Sequence, residues 1–472
     1  MANSDTTMSN GPNPSNGNST DVAATNGASE STVAPGLSAD EMALYDRQIR
    51  LWGAKAQEQI RKAKVLLVSL RAVGTEIAKN LTLAGIQELT IIDNEEVTED
   101  DIFGAQFFLR KEDVGKPRAE AAAPRIQELN PRVAVKSGGN LQDLLMKATT
   151  DPTYWTQFNC VIACDHDIMT LSSINIAARV ALRPFYAAGI HGFYGYIFAD
   201  LIAHEFVVER EKPNRETAIA PETLTRSVVS VTTRKENNGK TTEIVKKAEM
   251  YCPLLLANTA PLPVEITSNR RKLKTVPPLL PCLRALFDFQ RESNRLPDVN
   301  KEDITRFTEL VKQKTAELAL PLDTLNGEFL KSFIQNIGAE INPTAAFVGG
   351  RLSEDVINVL GNREQPIQNF ALFDGESVEG RILSLFSAPP ELQPPGLAVY
   401  NAPLGNDVPL SNGALGTTHF GGNGTMDLSG SQQQNGLDSA PRLPDADPAT
   451  ANVRTIGNDN AESGPSGTAP SY

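Results

Sequence analysis

The chain has 472 residues and a net charge of −13, of which the first 38 residues carry −3 and the last 84 carry −6. The part between is near balance, which argues against a nucleic-acid-binding body. No apolar run approaches the roughly 18 residues that cross a bilayer, and the start lacks the charged-then-apolar order of a signal peptide, so a soluble intracellular protein is expected. The four cysteines (Cys160, Cys164, Cys252, Cys282) include no C-x-x-C pair. A disulfide framework and a structural zinc site are both disfavoured.

Residues 1–38 are mostly Asn, Ser, Thr, Gly and Ala without apolar periodicity, and a disordered tail is expected there. Ser38 and Glu41 then form a capping box that opens a helix through Met42, Leu44, Tyr45, Ile49 and Leu51, with Gly53 as its stop. A short basic helix runs to Lys62. The apolar run "KVLLVSL" reads as a strand. A loop follows it, then a helix through Ile77, Leu81, Leu83 and Ala84 that ends at Gly85, then the strand "ELTIID" ending in Asp93. Further units repeat the theme: a helix from Arg118 to Leu129, strands "VAVKS" and "FNCVIACD", a helix from Leu171 to Leu182, and the strand "PFYAAGI". Strands apolar on both faces that alternate with helices predict a doubly wound, mostly parallel α/β sheet of Rossmann-like type.

Beyond this point the pattern changes. "GFYGYIFADL" and "EFVVERE" alternate like antiparallel strands, and about Lys212 to Gly239 reads as a polar loop or small extension. Leu279 to Phe289 and Thr305 to Leu318 read as helices of an insertion at about 211–341. A helix at "NPTAAFVGGRLSEDVINVLG" returns to the body, with Gly349 and Gly350 expected to pack on a backbone, and "NFALFDG" and "GRILSLF" are the last strands. The folded domain is thus expected over 39–388, with a second disordered tail over 389–472.

The strand, turn, helix and terminal acid around residues 64–93 form the skeleton of a mononucleotide-binding unit, with Asp93 nineteen residues after Gly74. The turn itself reads Ser69, Leu70, Arg71, Ala72, Val73, Gly74, and keeps one glycine where several would let backbone N–H groups approach a phosphate. Either the turn no longer binds phosphate, or Arg71 pairs with it in place of the backbone cradle. Cys160 and Cys164 read as core. Cys252 and Cys282 fall in or near the insertion, and a thioester-forming role, which needs an accessible, activated thiolate, is not expected of them. His191 and His204 have no partner at metal-ligand spacing. "RRKLK" at Arg270–Lys274 is a nuclear import signal or a solvated helix face.

"YDRQIRLWG", the turn segment, "GAQFFLR", "VGKPRAEAA", "HGFYGYIFADLIAHEFVVE", "YCPL" and "AAFVGG" together resemble the activating enzymes of ubiquitin-like modifiers, most closely the small subunits of the SUMO-activating branch. The resemblance covers about Asp40 to Pro389. It implies a ThiF-like pseudo-adenylation domain that pairs with a catalytic large subunit. That partner binds MgATP, carries the catalytic cysteine and zinc, and passes SUMO, adenylated at its C-terminal glycine, to the cysteine. It implies a nuclear location with a cytoplasmic share, and neither nucleic-acid nor membrane binding.

The resemblance also assigns residues. Arg47 is donated in trans to the partner's ATP site, with Arg50 a weaker candidate for the same surface. Ser69, Arg71, Ala72, Gly74 and Asp93 form a degenerate nucleotide turn, and no metal is held. Gly104-Ala105-Gln106-Phe107 stands where active halves have Asn-Arg-Gln-Phe, which removes a phosphate-binding arginine at Ala105. Asp165 stands where they have a metal-binding aspartate, and is expected here as a structural or loop-capping acid, with a metal role as the alternative. Two other readings share the fold: a self-sufficient homodimeric sulfur-carrier adenylyltransferase, and the small subunit for a Nedd-type modifier. A nicotinamide-dependent oxidoreductase would leave the Tyr45–Gly53 segment unexplained.

Overall fold

The computed structural model describes residues 37–388 apart from 237 and 238, and apart from the side chains of Phe103 and Leu322. Except for Leu37 and Ser38, the tails expected at 1–38 and 389–472 lie outside the described residues. Eleven strands are described: β1 Lys64–Val68, β2 Glu88–Ile92, β3 Ala134–Ser137, β4 Cys160–Cys164, β5 Phe185–His191, β6 Tyr194–Asp200, β7 Ala203–Glu211, β8 Arg226–Lys235, β9 Thr241–Met250, β10 Phe370–Asp374 and β11 Glu379–Leu383.

Eight of them form one sheet in the order β11-β10-β6-β5-β4-β1-β2-β3. β1 to β5 run parallel, while β6, β10 and β11 join antiparallel at one side. Alternate residues of β1 serve opposite faces, as the two-residue period of a strand requires. Leu66 and Val68 pack in a core with the Ile168–Val180, Leu279–Ser293 and Lys301–Glu317 helices. Val65 and Leu67 pack in a second core with the Ala72–Ala84, Arg118–Leu129 and Asn342–Leu360 helices. The chain runs outward from β1 through β2 to β3, then crosses back to β4 on the other side of β1. The order reverses between β1 and β4, and in such sheets ligands bind beyond the strand ends at that reversal.

Three expectations need correction. The stretch from Lys212 to Gly239, expected as a polar loop or small extension, contains a full strand, because Arg226–Lys235 forms β8, which pairs with β9 in a separate antiparallel sheet ordered β7-β9-β8. Its strands are largely polar because much of this sheet faces solvent, so no apolar run marks them. The first helix is two, Ala39–Leu44 and Asp46–Trp52, broken at Tyr45. Tyr45 is buried, and its hydroxyl accepts from Asn130 at 2.9 Å. Of the two adjacent glycines, Gly349 packs as expected: a Cβ there would stand 2.6 Å from the Glu76 Cβ and 3.2 Å from the Val73 carbonyl oxygen. Gly350 faces open space.

Candidate functional site

The crevice at the strand reversal is built from the turn after β1, the turn after β4, the end of β5 and a strap, Ile337–Ile341, that leads into the Asn342–Leu360 helix. Ser69 holds φ = 74°, the left-handed conformation that favours glycine, so the turn keeps a glycine-type shape without the glycine. Gly74 is indispensable to that shape, because a Cβ on it would lie 2.2 Å from the Ser69 carbonyl oxygen. The turn is pinned on one side by Asp93, which accepts from the Leu70 N–H at 2.7 Å and the Glu95 N–H at 3.1 Å. The Gln106 amide donates to the Leu70 carbonyl, and Thr75 donates to the same oxygen at 3.2 Å.

Asp93 is committed further. It is buried, and Arg118, itself buried, donates to its two oxygens at 3.0 and 2.8 Å. The same guanidinium meets Glu95 at 3.2 Å and Asp101 at 3.2 Å. The carboxylate spaced to hold a ribose is therefore engaged by an internal arginine. Ala105 is buried beside this turn and offers no polar atom.

At the other side of the turn, Arg71 does not face an open phosphate position. Its Nε donates to one carboxylate oxygen of Glu340 on the strap, and the Ala72 N–H, first in the Ala72–Ala84 helix, donates to the other at 3.1 Å. Behind this pair lies a cavity of about 80 Å³ lined by residues that include Asp165, His166, His191 and Tyr196. Asp165 accepts from the Ile190 N–H at 3.3 Å, and its other oxygen has no partner. Burial, then the neighbouring Glu340 carboxylate, pushes the Asp165 carboxyl up to about 7 against the pull of Arg71. Burial also holds His166 below its ordinary value, and its Nε2 is unpartnered. The helix after β4 is capped by Asp167, which accepts from the Met169 and Thr170 N–H groups, while Asp165 holds the Ile190 N–H. Among the described residues no group of three His, Cys, Asp or Glu side chains could hold a metal.

Arg47 stands elsewhere. Its helix, Asp46–Trp52, is anchored at both ends: by buried Tyr45 before it, and by Trp52, whose carbonyl accepts from Arg363 at 2.9 Å and whose indole donates to Gln57 at 2.7 Å. Gln57 in turn donates to the Ala84 carbonyl at 3.0 Å, at the C-terminal end of the Ala72–Ala84 helix. The crevice lies at that helix's N-terminal end. Thirteen residues of helix, roughly 20 Å, thus separate Arg47's anchor from its own crevice, beyond the reach of an arginine side chain. Arg47 is exposed and makes no hydrogen bond or ion pair among the described residues, whereas Arg50 is engaged with Asp46 at 2.9 Å. Leu51, beside them, is 78% exposed.

The remaining candidates are accounted for structurally. All four thiols are buried, and burial pushes Cys252 up to about 11 and the other three above their ordinary value. None is a ready nucleophile. His191 accepts at Nδ1 from the Gly338 N–H at 3.2 Å, and His204 stacks on Phe206. Arg270–Leu273 is a short helix capped by Asn269.

Sequence reading missed Glu340 and the role of Arg118. Glu340 lies 269 residues from Arg71, in a loop without local signal. Arg118 did carry one, since a cation in the first turn of a helix opposes the helix dipole unless carboxylates compensate it.

Residues 45–393 match the ThiF family. The DNA damage tolerance protein RHC31 of Saccharomyces cerevisiae is 40% identical over 352 residues, 73% of this chain and 96% of its own length. SUMO-activating enzyme subunit 1 of Homo sapiens is 35% identical over 354 residues, 73% of this chain and 95% of its own length. The protein of the same name from Xenopus laevis is 32% identical over 350 residues, with 73% and 95% covered.

Proposed function

We infer the function of this chain from one premise: it belongs to the ThiF family, on the branch whose relatives are named SUMO-activating enzyme subunit 1. Membership supports a role in an ATP-dependent activating enzyme for SUMO. On our reading the chain is the non-catalytic partner in a heterodimer. The large subunit binds MgATP and SUMO, and joins SUMO's C-terminal glycine carboxylate to the α-phosphate with release of pyrophosphate. It then takes the acyl group onto its own cysteine.

The fit of this chain's own residues to a nucleotide is poor. Glu340 fills the phosphate position, Arg118 engages Asp93, and Ala105 offers no donor, so no step of the reaction is assigned to this crevice. The observation that carries the reading is the contrast with Arg47: exposed, unpaired among the described residues, and held on a doubly anchored helix whose anchor meets the end of the Ala72–Ala84 helix away from the crevice. In the heterodimer its planar guanidinium donates to the charge that develops on the partner's α-phosphate, and its neighbour Leu51 is buried against the partner. A nuclear location with a cytoplasmic share is part of the same proposal, supported by the exposed basic run Arg270–Lys272.

The test is ATP–pyrophosphate exchange on the reconstituted heterodimer. Arg47→Ala is expected to assemble normally by size-exclusion chromatography and to lose about 100-fold to 1,000-fold in exchange rate, as for one preorganised donor. Arg47→Lys recovers part of the rate. A normal rate in a well-assembled Arg47→Ala complex removes Arg47 from the chemistry.

A further inference from the structure

We propose that Glu340 is a built-in inhibitor of this half's nucleotide crevice, an internal carboxylate that takes the place of a phosphate at Arg71 and the first N–H of the Ala72–Ala84 helix. A guanidinium beside the N-terminus of a thirteen-residue helix is a competent phosphate cradle, since it combines a forked cation with an outward-pointing N–H and the positive end of the dipole. Glu340 satisfies both parts at once, one oxygen on Arg71 and the other on Ala72. The carboxylate is not there by chance of a long side chain. The Gly192 N–H donates to the Ala339 carbonyl at 2.7 Å, and the Gly338 N–H donates to His191 Nδ1 at 3.2 Å, so the strap is fixed to the end of β5 immediately before Glu340.

Glu340 also lies near Asp165, and two carboxylates in a partly buried site repel each other, a cost that its bonds to Arg71 and Ala72 offset. The cavity beside the pair is small, about 80 Å³ against the roughly 300 Å³ of a ligand pocket, and the unpartnered atoms of Asp165 and His166 make its lining polar. The inference goes beyond the proposed role in the heterodimer. It concerns the other end of the helix from Arg47 and needs no partner, so its test and the exchange assay fail independently.

The probe is inorganic pyrophosphate, titrated calorimetrically into the full chain and its variants. Wild type is expected to show no saturation up to about 10 mM, whereas Glu340→Gln and Glu340→Ala bind at least about tenfold more tightly. The Glu340→Ala/Arg71→Ala double variant loses the gain. Pyrophosphate is also expected to raise the melting temperature of the single variants and not that of wild type. Glu340→Gln keeps the side-chain volume and an acceptor for Ala72, so it carries the test if Glu340→Ala folds poorly. Variants that fold only with pyrophosphate support the proposal. Variants that do not fold with or without it identify Glu340 as a strut and overturn it. A folded Glu340→Gln with no gain, or micromolar binding by wild type, also overturns it.

Discussion

Arg71 and Arg47, near opposite ends of the same helix, meet opposite fates. Arg71 is the candidate phosphate ligand of its own crevice and is neutralised by Glu340, while Asp93 below it is tied to Arg118. Arg47 is exposed and has no ion-pair partner among the described residues. On our proposal this crevice holds no nucleotide, yet its charges do not drift to solvent. Here they are paired internally instead, because an arginine or carboxylate left unpaired in a partly buried crevice destabilises the fold. The arginine helix pays no such penalty, since its charge stays in water.

Substitutions at the two ends should separate cleanly in chemical denaturation of the full chain. The largest loss is expected for Arg118→Ala, about 3–5 kcal/mol, because it strands the buried Asp93 carboxylate together with Asp101. Gly74→Ala comes next at about 1–3 kcal/mol, from the clash of its Cβ with the Ser69 carbonyl. Ser69→Gly is expected to stabilise by about 0.5–1 kcal/mol, because relief of the left-handed backbone outweighs the added freedom of the unfolded chain. Its failure to do so would mean that the turn is not strained.

Acid should weaken the fold through His191 and His204, which burial lowers to about 4. Between pH 6.5 and 4 the unfolded chain binds protons that the folded chain refuses, so stability is full above pH 6.5 and is lost as pH falls through that window. The full shifts correspond to about 3 kcal/mol each, and a His191→Gln/His204→Gln double variant should flatten the slope. At the other end of the helix, Arg47→Ala and Leu51→Ala should stay within about 0.5 kcal/mol of wild type. Leu51→Asp is expected to weaken assembly with the large subunit while leaving the chain's own stability alone. A large loss of stability in any of these three would place the arginine helix with the crevice, as part of the fold's own packing.

The parallel sheet was legible because β1, β4 and β5 are buried on both faces and read as continuous apolar runs. The capping box at Ser38 and the stop at Gly53 follow from local chemistry. β8 was not legible, since a solvated two-faced strand carries no apolar period, and Tyr45 gave no sign of breaking a helix because its partner Asn130 lies 85 residues away. In the crevice, the sequence left two readings of the glycine-poor turn open, and Glu340, the residue that bears on them, comes into contact only through the tertiary fold. Family resemblance singled out Arg47, and the fold adds that it stands at the wrong end of the helix to serve its own crevice.

The central claim is that this chain lends a side chain to nucleotide chemistry and holds no nucleotide itself. Equilibrium dialysis of the assembled heterodimer against ATP tests it by counting. The account predicts one nucleotide bound per heterodimer and none per isolated chain, and two per heterodimer would contradict it.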